Sequence, residues 1–302
     1  MMVSNQGSIW NLLRWQRDNA LMMAGAGALA ALTVTTFGLE QLTLPATPLA
    51  VVGGAIGIFV SFRTNSAYDR WWEGRKLWGR MINTSRHWAS QVCAYLDTDD
   101  HRDTAHALAQ RHIAYVHALR CLLRTQDPYA DDDFLHAISD EDLAIVRGRS
   151  NLTHALLELQ LRDVTRLNND GHLDDRRLQS LDESLRHLLD IQGGCERIKK
   201  TPFPRGYGFI AERLIRYFSF LFPFAIVGDL GWFVVPMNLL VCLAFMLISE
   251  AGRVLEDPFT MFWNGLPLSA ISRMIEVNVR EVRGERDGLP PMHRPDLNGI
   301  LM

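Results

Sequence analysis

A chain of 302 residues with a net charge of −3 has no bulk basicity for gripping nucleic acid. Its four cysteines lie far apart with no CxxC pair, which argues against a zinc site or a disulfide framework and suits a reducing compartment. Mean hydropathy is −0.02 and 22% of residues are charged, values of a soluble protein, but the apolar residues are bunched and the charged ones are bunched elsewhere.

Taken in order, residues 1–19 are polar, with Trp10, Trp15, Arg14 and Arg17, and predict an amphipathic segment at a membrane interface. Residues 20–39 are uncharged and rich in Ala, Gly and Leu, and predict a retained first membrane span. A short turn with two prolines follows at 40–48. From Gln41 to Phe62 there is again no charge; from Arg63 on, charges crowd in without a helix breaker. Such a switch reads as one helix leaving a bilayer and continuing in water. Gly54, Ile58 and Phe62 recur every four residues on one face, and Asn65, Ser66 and Asp69 continue the stripe as it turns polar. An apolar face leading into a polar one suits a hydrophobic constriction opening into a vestibule; on the residues alone, plain helix packing is the simpler reading. Gly53, Gly54, Ala55 and Gly57 are small enough to let a neighbouring helix approach closely. Trp71, Trp72 and Trp78 lie past the apolar part and are expected to pack helix against helix.

Helical periodicity marks 105–123, 140–148, 150–167 and 174–198, no strand alternation is sustained, and 126–133 (QDPYADDD) and 168–171 (NNDG) read as turns. A solvated helical bundle over 63–206 is the expectation. A third span covers 207–227, with Glu212, Arg213 and Arg216 in its first half. Asp229 begins a tight turn, and 230–249 form a fourth span; Pro223 and Pro236 interrupt these two helices. Residues 250–302 return to mixed charge and end in a Pro/Gly-rich extended stretch. The turns at 40–48 and around Asp229 hold no Lys or Arg, whereas the opposite flanks hold many, so both termini and the bundle are expected on the cytoplasmic side.

Enzymatic constellations are missing from the sequence. His101, His106, His112 and His117 are spaced five or six apart, with no HxxxH or HExxH. The NNDGHLDD stretch would place Arg166 and Arg177 at the first and last positions of a calcium loop. No GxxxxGK[ST], GxGxxG or GxSxG occurs. Asp97, Asp99, Asp100 and Asp131 to Asp133 read as solvated loop carboxylates. No catalytic site, metal or cofactor is expected.

FRTNSAYDRWWEGRKLWG (62–79), GCERIKKTPFPRGY (194–207), LFPFAIVGDLG (221–231) and LEDPF followed by NGLPL (255–268) together resemble the bacterial branch of the bestrophin family. The motifs cover about a quarter of the chain, in order and at the right distances; 98–190 carries no signature. The resemblance implies an all-α integral membrane protein with four transmembrane helices per subunit (in 20–62 and 207–249), a helical cytosolic region, and a homopentamer around a central pore in a bacterial inner membrane. It places the pore neck at Gly54, Ile58 and Phe62, where Gly54 departs from the family's bulky residue, and a cytosolic exit constriction at Phe203. Animal members hold calcium with an acidic run after the fourth span; here the segment reads TMFWNGLPL, so no calcium gating is expected. Asp69 and Glu73 are the candidate vestibule charges, which favour monovalent cations such as sodium and potassium if they face the pore, while Arg63, Arg70 and Lys199 could reverse the preference. An anion (chloride) channel and a non-conducting membrane scaffold or sensor are the alternatives.

Overall fold

The computed structural model describes residues 14–97, 99–202, 205–296 and 299–301. They form α1 (Arg17–Ala30, prolonged by a π-helical Ala31–Thr36), α2 (Ala46–Tyr95), α3 (Arg102–Leu123), α4 (Asp132–Ala137), α5 (Asp140–Val146), α6 (Leu152–Asn169), α7 (Asp175–Lys200), α8 (Arg205–Leu230), α9 (Val234–Leu255) and α10 (Leu268–Val282). Among the described residues the fold is all-helical. Two compact units divide it: one takes residues 14–71 and 202–256, the other 72–201 and 257–301.

The first unit is apolar. Its core joins Met23 of α1, Ile56 and Val60 of α2, Phe218 of α8 and Met246 of α9. A second cluster joins Ala30, Ala31 and Val34 to Val227 and Val234. Small residues set the approach distances: a Cβ on Gly53 would lie 3.0 Å from the Phe218 ring, and one on Gly57 3.4 Å from Phe245. Gly54 faces open space instead. The fully buried Asn238 of α9 donates from Nδ2 to the carbonyls of Met23 (2.7 Å) and Ser219 (3.0 Å), tying three helices with one amide. Three stretches are long and apolar enough to cross a membrane, within 17–36, 40–95 and 208–255; the third takes in most of α8 and all of α9.

Two sequence expectations need correction here. Asp229 is helical, because α8 runs through to Leu230 and the chain turns at Gly231–Phe233, where Gly231 takes φ +53°. Neither proline interrupts a helix. Pro223 sits inside α8, and Pro236 is the third residue of α9, where its missing N–H has no helical acceptor to lose.

The second unit is a polar-surfaced bundle around α3. Ile113, Ala114, Tyr115 and Val116 are consecutive and fully or almost fully buried, so α3 is covered on all sides. Trp78 and Trp88 of α2 are fully buried, whereas Trp72 is half exposed. Caps start the helices where the sequence supplies them: Asp131 accepts from Phe134 N–H, Ser139 from Asp142 N–H, Asn151 from His154 N–H and Asp174 from Arg177 N–H. The aspartate run therefore starts α4, a helix that the turn-like composition of 126–133 hid. Arg111 of α3 is clamped by Asp142 (2.7 and 2.9 Å) and Asp163 (2.6 Å).

Candidate functional site

The helix α2 is continuous over 50 residues, about 75 Å at 1.5 Å per residue. Its two faces differ sharply. Gly53, Ile56, Val60, Arg63 and Ala67 are buried at the i, i+3, i+4 spacing of a packed stripe. On the other face Gly54 is exposed, Ile58 is 62% exposed and Phe62 69% exposed. Asn65, Ser66 and Asp69 prolong that exposed face. Isolated exposed apolar residues are ordinary, but a run of them along one face of a helix marks a surface meant for a partner, lipid or a lumen.

The charges sort differently from the sequence expectation. Asp69 stays exposed on the stripe, with no ion pair among the described residues. Glu73 is only partly exposed and pairs with Arg197 at 2.5 Å. Arg63, read from the sequence as a charge that could face a vestibule, is turned away from the stripe and 2% exposed, with Nη2 2.7 Å from Glu256 Oε1. Lys199 pairs with Asp257 at 2.7 Å, and Arg70 donates from Nε to the Glu256 carbonyl at 2.7 Å. Phe203, the expected exit constriction, lies outside the described residues.

Asp257 is used locally. Its Oδ2 takes Lys199 and its Oδ1 accepts from the Phe259 N–H, opening a tight loop closed by Leu266 N–H to the Pro258 carbonyl. A Cβ on Gly265 would fall 2.0 Å from the Thr260 carbonyl oxygen, so the glycine of the NGLPL motif is dictated by space.

The carboxylates expected to be solvated at 131–133 are in part structural. Asp131 accepts from Arg120 Nη2 at 2.5 Å, and Asp133 from Arg120 Nη1 at 3.3 Å and from Arg273. His117, fully buried, meets Glu276 through Nε2 at 3.1 Å. His117, Asp131 and Asp133 are close enough together to hold a metal ion, but the Arg120 guanidinium already bridges the two aspartates. Burial raises the Asp133 and Glu276 carboxyls; the neighbouring His117 and arginines outweigh it and hold both below their ordinary values. His112 is buried, with no hydrogen bond at either ring nitrogen among the described residues, and burial lowers it to about 3.

The sequence reasoning missed the inward turn of Arg63. The signal was present: Arg63 continues the Ile56, Val60, Ala67 spacing, which places it on the packed side one residue after Phe62.

Residues 1–281 match the family model described as "Bacterial/Fungal Bestrophin protein". A voltage-dependent anion channel-forming protein of Mesorhizobium japonicum is 33% identical over 250 residues, 82% of this chain and 78% of its own. A protein of the same description from Escherichia coli K12 is also 33% identical over 250 residues, 82% of this chain and 80% of its own. A crystal structure of a bacterial bestrophin homolog from Klebsiella pneumoniae superposes with a TM-score of 0.83 at 29% identity, covering 88% of this chain and 98% of that one. By family model, sequence and fold, the chain belongs to the bacterial and fungal bestrophin family.

Proposed function

We propose that this protein is a passive ion channel, built as a homopentamer whose α2 helices line a central pore with a neck at Gly54, Ile58 and Phe62. One observation carries the reading: α2 leaves Ile58 and Phe62 exposed on the face opposite its packed one, and that face turns polar at Asn65 and Asp69. Four helices of one subunit pack on each other rather than around a lumen, so a pore needs several copies. An apolar neck resists ions by dewetting and discriminates little by charge, so selectivity falls to the charges beside it. We assign α1, the first half of α2, α8 and α9 as four membrane spans. The Lys/Arg distribution supports cytoplasmic termini and an inner-membrane location.

For the permeant ion we take monovalent cations, because Asp69 is the charge left exposed on the stripe while Arg63 and Lys199 face carboxylates. A second reading, anion conduction, is favoured by the description of the Mesorhizobium and Escherichia relatives as anion channel-forming. Purified protein in a planar bilayer under asymmetric NaCl separates them. A reversal potential that follows sodium and weakens in Asp69→Asn supports cations. A reversal following chloride installs the anion reading. No current in either protein rejects the channel.

A further inference from the structure

Arg63 is a charged side chain with 2% exposure, one residue from the neck residue Phe62 and about 100° around the helix from it. Each of its three guanidinium nitrogens donates a hydrogen bond. Nε and Nη2 donate to Glu256 Oε1 at 3.1 and 2.7 Å, and Nη1 donates to Ser249 Oγ at 3.0 Å. On the α8 side Gly208 makes the room, since a Cβ there would lie 2.7 Å from Arg63 Nη2. Two turns further along α2, Arg70 reaches the same residue, donating from Nε to the Glu256 backbone carbonyl at 2.7 Å. Glu256, which directly follows α9, is thus gripped at its carboxylate and at its carbonyl by two arginines on one side of α2.

Two contacts seven residues apart on a rigid helix define both its rotation and its axial register. Turning α2 far enough to take Phe62 off the exposed face would pull Arg63 from Glu256 and Ser249. It would leave a buried cation and a carboxylate without partners, a costly arrangement. We infer that the Arg63–Glu256 pair is the positioning element of the neck, fixing the rotation of α2 that presents Ile58 and Phe62. This deepens the pore reading of α2 and rests on it for the consequence for current. The pair is charge-neutral, so it sets how open the neck is and leaves ion preference alone.

The test uses the full chain with Cys93, the half-buried cysteine, replaced by serine; Cys121, Cys195 and Cys242 are buried. Phe62→Cys is labelled with a water-soluble methanethiosulfonate in liposomes, in the native background and with Glu256→Met. Assembly is checked by gel filtration. The pair predicts that Glu256→Met slows labelling at position 62 by at least about tenfold, because a stranded buried charge costs more than the ~1.4 kcal/mol that tenfold represents. The swap Arg63→Glu with Glu256→Arg is expected to recover most of the rate, which a general loss of stability would not allow. No labelling in the native background, or an unchanged or faster rate with Glu256→Met, overturns the proposal. Labelling needs no conduction, so a silent bilayer rejects the channel reading while leaving this outcome readable. Where current is present, the charge-conserving swap restores its amplitude with the reversal potential unmoved; a shifted reversal potential in the swap contradicts the assignment.

Discussion

Gly252 of α9 meets Thr64 of α2 so closely that a Cβ on the glycine would lie 2.9 Å from Thr64 Oγ1 and 3.2 Å from Thr64 Cα. The hydroxyl also donates to the Val60 carbonyl at 2.9 Å and the Ile248 carbonyl at 3.3 Å. A side-chain atom could swing aside, but a Cα cannot move without its helix. Gly252→Ala is therefore expected to destabilise the helix pair by about 1–3 kcal/mol, the usual cost of overpacking. A thermal scan in detergent checks this; an unchanged midpoint would show that α9 slides freely past α2.

Asn238 tests how much a buried amide contributes between helices. Its two bonds to main-chain carbonyls are made where water is scarce, and such bonds average only about 0.6 kcal/mol each in membrane proteins. Asn238→Leu should then cost about 1 kcal/mol, well below the loss expected for Gly252→Leu. Chemical denaturation in mixed micelles compares the two variants directly.

How much of this was legible in the sequence follows from which signals are local. The charge switch at Arg63 and the four-residue spacing of Ile58 and Phe62 are local, and both gave the long helix and its exposed face. The pairing of Arg63 with Glu256 spans 193 positions, and no single-helix pattern reports a partner that far away. The helix α4 was hidden for another reason. Three consecutive aspartates look like a solvated loop, yet Asp131 caps a helix while Arg120 and Arg273 neutralise Asp131 and Asp133. The amphipathic α10 was read only as mixed charge, although Leu268, Ile271, Ile275 and Val279 line its buried side.

The polar-surfaced unit should lose stability in acid through His112. Its folded value, about 3, lies below the ordinary 6.5 because burial disfavours the charged ring. The unfolded chain therefore binds the extra proton first. The contribution is fully present above about pH 6.5 and is lost as pH falls toward 3, by at most about 1.4 kcal/mol per pH unit. Unfolding midpoints of wild type between pH 7.5 and 5 should fall, and His112→Leu should flatten that slope. Among the described residues neither ring nitrogen of His112 has a hydrogen-bond partner, so the substitution should not reduce stability at pH 7.5. A parallel decline in both proteins would assign the acid sensitivity elsewhere.

The neck is tested most directly by single-channel current from purified wild type and the Ile58→Ala/Phe62→Ala double variant under identical salt. An apolar constriction limits conduction by its width and dryness. Removing both side chains should raise the conductance severalfold with little change in reversal potential. Equal conductance in the two assembled proteins would contradict a neck at Ile58 and Phe62, and with it the assignment of the exposed α2 face to the ion pathway.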